Sequence, residues 1–140
     1  PRPTVTPASN NDLDMFDEMR DAAMVGKLAA DDASAVDAES AVEMATAGGA
    51  DAIGIESGRI EPGANADLAV LDLGAPHLTP DHDLVSHLAY AARGSDVRHT
   101  ICDGEVLMRD RTVLTVDVDV ARTDASERAA ALISRARSSN

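Results

Sequence analysis

Residues 58–73 read "GRIEPGANADLAVLDL", and the texture of the chain changes there. Pro62-Gly63 punctuates a turn. The run after it has the composition of a buried strand, with Leu68, Val70 and Asp72 alternating against Ala69, Leu71 and Leu73. Upstream the apolar spacing is helical. Downstream the strand-like pattern returns, so the chain reads as α/β.

On the N-terminal side, residues 1–9 contain three prolines and are not expected to form a regular helix. Asn11 or Asp12 is expected to cap a helix whose apolar positions are Leu13, Phe16, Met19, Ala23 and Met24. The acids Asp12, Asp14, Asp17, Glu18 and Asp21 gather in its first turns, where the positive helix end favours them, so they read as a solvated start and not as a metal cage. A second helix is expected after Asp37, with Val42 and Ala45 on one face and a break at Gly48-Gly49. Residues 50–53 add one further turn.

On the C-terminal side, residues 80–93 read as a helix with Leu84, Val85, Leu88 and Ala92 in a stripe. "VRHTICDGEVLMRDRTVLT", residues 97–115, reads as a hairpin about Asp103-Gly104, a strong two-residue turn signal. A second turn at Asp110-Arg111 leads to "TVLTV". Residues 119–136 are rich in Ala and Arg and are expected to be helical, with a frayed tail. No internal repeat and no low-complexity linker interrupts the chain.

Composition limits the function. The 140 residues suffice for one modest core, and with Phe16 and Tyr90 as the only aromatics it must be built from aliphatic residues. A net charge of −13 disfavours nucleic acid and anionic membrane as partners. Asp outnumbers Glu, and Lys27 is the only lysine against eleven arginines, a balance suited to a high-salt cytoplasm. Cys102 is the only cysteine, so no intramolecular disulfide or cysteine-based zinc site is available. No secretory signal or membrane-spanning run stands out, and a cytoplasmic location is expected.

Three stretches together resemble the metal-dependent amidohydrolases. "ASNNDLDMFDEMR" (8–20) is similar to the segment after the last barrel strand of the branch holding methylthioadenosine/S-adenosylhomocysteine deaminases, cytosine-type deaminases and triazine chlorohydrolases. "GRIEPGANADLAVLD" resembles the G-x-I-x-x-G-x-x-A-D-L-x-x-x-D stretch that opens the family's small β-sandwich. "PHLTPDHDLVSHLAYAARGSDVRHTICDGEVLMRD" (76–110) resembles the rest of that sandwich, ending on a V-x-G-x-x-V hairpin. The resemblance runs from about residue 8 to about 115.

It implies the C-terminal portion of a (β/α)8 (TIM) barrel hydrolase. Residues 1–56 would be the end of the barrel, 57–118 part of the composite sandwich with an inserted helix near 80–93, and 119–140 a terminal helix and tail. In the family a divalent metal, zinc or iron, activates a water that attacks a ring carbon bearing an amino or chloro group. The implied ligands are a His-x-His pair, a later His and an Asp at the end of the last strand, with a Glu moving protons. That Asp lies in a G-T-D-G turn just before Ser-Asn-Asn. Counting back from Ser9, its position falls on Val5, within Pro3-Thr4-Val5-Thr6. Valine has no lone pair with which to ligate or accept a proton.

No catalytic residue and no metal ligand is therefore expected in this chain, and no metal is expected to bind it alone. Asn10 and Asn11, beside the metal-bearing turn of a complete barrel, are the candidates for substrate contact against a reading as caps. His77, His82, His87 and His99, with Asp81 or Asp83, could supply a zinc site only in principle, since His82 and His87 are five apart and cannot share a helix face. Asp67 and Asp72 read as turn ligands rather than paired catalytic carboxylates. Ser9 lacks a His-Asp partner pattern, no phosphate-binding glycine loop is present, and Cys102 is expected to be a buried, inert thiol.

Two roles for the chain follow. It is either a hydrolase portion inactive without a complementary N-terminal barrel chain, or a non-enzymatic α+β module that associates through open strand edges. The abrupt departure at "PRPTVTP" also fits a disturbed reading frame.

Overall fold

The computed structural model describes residues 12–138. Helix α1 (Met15–Ala30) leads to α2 (Ala38–Ala45) and α3 (Ala47–Ile53), then β1 (Leu68–Leu71), α4 (Leu84–Tyr90), the strands β2 (Val97–Cys102), β3 (Glu105–Arg109) and β4 (Thr112–Val113), and α5 (Val118–Ser138). Single 3-10 turns at Pro76–Leu78 and Gly94–Asp96 flank α4.

Helices α1, α2 and α4 pack on one another around Met19, Ala23, Ala41 and Ala89, all buried. Three of these four are alanines, so the helix axes approach closely and the seal comes from flanking Phe16, Val36, Val42, Met44 and Tyr90. At Gly26 of α1 a Cβ would sit 2.5 Å from Val36 Cγ2, which leaves room for hydrogen alone. Arg20 fastens the corner: its Nε donates to the Tyr90 carbonyl and its Nη2 to the Ala92 carbonyl, each at 3.0 Å, satisfying acceptors at the end of α4.

The cap of α1 is Asp14, whose Oδ1 accepts from Phe16 N at 2.9 Å, and not Asp12. Asn11, the other candidate cap, lies outside the described residues. The apolar stripe of α1 is narrower than its spacing suggests, since Leu13 and Met24 face outward. Asp37 caps α2 through Ser40 N as expected. The break before α3 falls at Thr46 (φ −118°, ψ −96°), and Gly48-Gly49 lies inside α3 with Gly48 buried.

Gly58 explains why the break matters. It holds φ +78°, and a Cβ there would stand 2.6 Å from the Thr46 carbonyl carbon and oxygen. Only glycine fits both the left-handed backbone and the close approach. The first residue of the 58–73 stretch thus seats the incoming chain on the α2–α3 junction.

The four strands form one antiparallel sheet in order β1-β2-β3-β4. Leu68 pairs with Ile101 and Ala69 with Thr100, while Ile101 pairs with Val106. Asp103 (φ 49°) and Gly104 (φ 79°) make the expected tight turn, with both central residues left-handed. The next turn repeats that geometry with Asp110 (φ 47°) and Arg111 (φ 63°), at a cost of about 1 kcal/mol for a non-glycine residue. Arg111 is held there by its links: Nε to the Ser95 carbonyl at 3.2 Å and Nη2 to Asp72 Oδ2 at 3.3 Å.

Two strand expectations are corrected. β1 is not buried, because its central residues Ala69 and Val70, which point to opposite faces of the sheet, are both exposed. β4 stops at Val113 and does not run through residue 116, since Asp117 turns the chain into α5 by accepting from Asp119 N and Val120 N. The helix expected over 80–93 is trimmed to Leu84–Tyr90, starting where Asp83 caps it by accepting from Ser86 N. α5 spans the expected helical region and buries none of its residues. Among the described residues, no helix is long and apolar enough to cross a membrane.

Candidate functional site

The residues singled out for chemistry divide by position. Val5, Asn10 and Asn11 lie outside the described residues. The chain enters the described structure just after them, at Asp14, whose Oδ2 accepts from Gly94 N at 2.7 Å. One carboxylate thus caps α1 and ties its start to the loop after α4. Sequence spacing gave no sign of this bond, which joins positions 80 apart.

The histidines are not brought together as a metal site. His77 Nε2 lies 2.8 Å from Oδ2 of the buried Asp96, which also accepts from Arg93 N at 2.9 Å. His87 Nδ1 is 2.7 Å from the Asp83 carbonyl, and His99 Nδ1 accepts from Asp110 N at 3.2 Å. His82 sits in the exposed turn before α4. Among the described residues, no three His, Cys, Asp or Glu side chains converge on a point where a metal ion would fit.

The carboxylates likewise spend their lone pairs on structure. Asp67 accepts from Ser57 Oγ at 2.6 Å and from Asp103 N at 2.7 Å, which clips the β2–β3 turn to the chain entering β1. The Ser57 hydroxyl and the Asp103 amide hold its carboxyl below the usual carboxylate range. Asp72 is lowered by the Gly74 amide and then by Arg111, and Asp110 by Arg98. Carboxylates stabilised as anions in this way are poor proton carriers near neutral pH. Cys102 is exposed and not buried, because the strand end that carries it has no cover. Its thiol is nevertheless pushed up, first by hydrogen bonding to Asp67 and then by the negative charge of Asp67, which disfavours the nucleophilic thiolate.

An apolar hollow of about 320 Å³ lies between β1 and α4 and is lined by Val70, Leu71, Leu78, Leu84, His87 and Leu88. With a single ring nitrogen among aliphatic walls, it has packing chemistry and no hydrolytic machinery.

The sequence model described as "Amidohydrolase family" matches residues 4–107. A 5-methylthioadenosine/S-adenosylhomocysteine deaminase of Haloarcula marismortui is 77% identical over 129 residues, which is 92% of this chain and 30% of that protein. Among solved structures, an adenosine deaminase from Xanthomonas campestris with bound zinc superposes with a TM-score of 0.83 at 40% identity, over 86% of this chain and 28% of its own. Atrazine chlorohydrolase from Arthrobacter aurescens complexed with zinc gives a TM-score of 0.69 at 25% identity, over 79% of this chain and 25% of its own. The chain spans about 30% of the length of the curated relative.

Proposed function

Because this chain belongs to the amidohydrolase family, we propose that it supplies the C-terminal portion of a deaminase acting on adenosine derivatives of the 5-methylthioadenosine and S-adenosylhomocysteine kind. The observation that carries the reading is the 77% identity over 92% of the chain. The lower identity of the chlorohydrolase, 25%, favours deamination over triazine dechlorination.

In this reading α1 to α3 are the closing helices of the barrel, β1 to β4 with α4 are part of the composite sandwich, and α5 is the terminal helix. The family reaction draws on a bound divalent metal, zinc or iron, which acidifies a water. The described residues do not fit that metal, and Val5 stands where the family's last ligand is an Asp. The chain alone is therefore inactive, and its partner is the complementary N-terminal part that carries the histidines. Exposed Val70 favours such a cover on its face of the sheet. It also supports a second reading, a non-enzymatic module that associates through the same face.

The test is ammonia release from 5-methylthioadenosine, S-adenosylhomocysteine and adenosine with added zinc. The chain alone should release none. Mixed with the first ~70% of the Haloarcula relative it should form a one-to-one complex, with turnover appearing only once Val5→Asp is introduced. Turnover by the unassisted chain, or no association with the complement, would end this reading. A complex that stays inactive with Val5→Asp would favour the second.

A further inference from the structure

The two tight turns of the sheet share a backbone and differ in chemistry. Both central residues are left-handed in each, Asp103 and Gly104 in one and Asp110 and Arg111 in the other. At the second turn Asp110 is tied, since its Oδ1 accepts from Arg98 Nε at 2.7 Å. The residue after it carries a side chain that is itself held, by the Ser95 carbonyl and by Asp72. The first turn has neither restraint. The Asp103 carboxylate accepts no hydrogen bond among the described residues, and a Cβ on Gly104 would meet nothing within 4 Å. Asp103-Gly104 is also the only Asp-Gly pair in the chain, and no Asn-Gly pair occurs. An aspartyl carboxyl followed by an unhindered amide is the arrangement that closes to a five-membered succinimide.

Two hydrogen bonds hold that closure back. Asp67 Oδ1 accepts from Asp103 N at 2.7 Å, and the Ala66 carbonyl accepts from Gly104 N at 3.1 Å. Gly104 N, the nucleophile of ring closure, is therefore directed at Ala66 and not at the Asp103 carboxyl. Asp67 is set in turn by Ser57 Oγ at 2.6 Å. All of these contacts are made within this chain, so the inference does not rest on the deaminase reading.

We propose that Asp103-Gly104 is a site of spontaneous aspartate isomerisation, and that Asp67 with the Ala66 carbonyl is the latch that sets its rate. When the latch opens, Gly104 N attacks Asp103 Cγ. A C–N bond forms, and the amide proton leaves with the carboxyl hydroxyl as water. Water then adds to the α-carbonyl of the ring and breaks its bond to Gly104 N, which regains a proton. The main chain now runs through Cγ. One water is lost and one regained, so the mass is unchanged and no co-reactant is needed. The product is longer by one methylene between Cys102 and Glu105, which pair across the ladder. A two-residue turn with both residues left-handed does not fit the added atom, so the register of β2 on β3 is lost. The step is a one-way covalent switch that opens the hairpin.

The test holds the full chain folded at mildly acidic pH, with the urea-unfolded chain alongside. Peptide mapping with electron-transfer fragmentation separates isoaspartate from aspartate of equal mass. Isoaspartate should accumulate at position 103 ahead of every other aspartate, Asp110 included, and more slowly in the folded chain than in urea. Asp67→Ala should speed it about tenfold, the change in open population when a hydrogen bond to a charged acceptor is lost. Ser57→Ala removes only the support of Asp67 and should give a smaller acceleration. It keeps the test decisive if circular dichroism shows that Asp67→Ala does not fold. Faster exchange of the Gly104 amide in both variants identifies opening of the latch as the step. Isoaspartate spread evenly over the aspartates would overturn the proposal. So would its absence from the folded chain and both variants, or a rate at position 103 that neither variant changes.

Discussion

The helical corner and the sheet with α5 are built from similar aliphatic residues yet differ in what they close. Around Met19, Ala23, Ala41 and Ala89 the helices bury their apolar faces on one another, and Arg20 and Asp14 stitch the ends. On the sheet, backbone hydrogen bonds and well-formed turns fix the register while Val70, Leu114, Val116 and Val118 stay exposed. The chain exposes 9816 Å², against roughly 6,900 Å² for a compact monomer of 14.5 kDa. Secondary structure here is satisfied locally in both regions, but the cluster of buried apolar residues lies in the helical corner, where Leu13, Met24, Val25 and Leu28 still face outward.

Substitutions can break that contrast where the two regions join. Gly58→Val forces a side chain into the Thr46 carbonyl and a left-handed backbone, and should cost about 3 kcal/mol or more, read as a lowered urea midpoint. Met19→Ala should cost about 2–3 kcal/mol by opening a cavity in the closed corner, while Val70→Ala on the open sheet should stay within about 0.5 kcal/mol. Equal losses at the two positions would mean that the sheet face is covered in solution. Arg20→Met should cost about 1–2 kcal/mol, because the Tyr90 and Ala92 carbonyls lose their donors. A midpoint unchanged by Arg20→Met would show that water replaces the guanidinium without loss.

Much of this was legible in the residues. The Asp103-Gly104 and Asp110-Arg111 turns, the Asp37 cap and the strand after Pro62-Gly63 follow from local chemistry, and local chemistry acts within a few positions. What failed was long-range. Thr46, not Gly48-Gly49, became the break, at the junction against which Gly58, 12 residues away, packs without room for a side chain. Cys102 came out exposed and β1 uncovered because burial depends on a neighbour that periodicity does not reveal. At the candidate site, the reading of Val5 at the family's Asp position comes from counting back from Ser9 and lies outside the described residues, whereas the Asp14–Gly94 and His77–Asp96 bonds left no mark in spacing.

The smallest expected effect concerns Asp67, which sits where the open sheet meets the chain from the helical corner. Its folded carboxyl is lowered by Ser57 and the Asp103 amide. A group depressed in this way contributes stability that is present above its unfolded value and is lost as pH falls through the lowered folded value. Acid should therefore loosen the β2–β3 turn in the range below the ordinary carboxylate value, and Asp67→Asn should flatten that dependence. The same change removes the chief cause that raises Cys102, so the thiol should be alkylated faster at pH 8 in Asp67→Asn than in the parent chain. Amide exchange at Asp103 separates the two consequences. Faster exchange together with faster alkylation means that the turn has opened, and faster alkylation with unchanged exchange means that only the electrostatics moved. An unchanged alkylation rate would show that water, not Asp67, governs this exposed thiol, and that the uncovered edge is electrostatically as open as it is sterically.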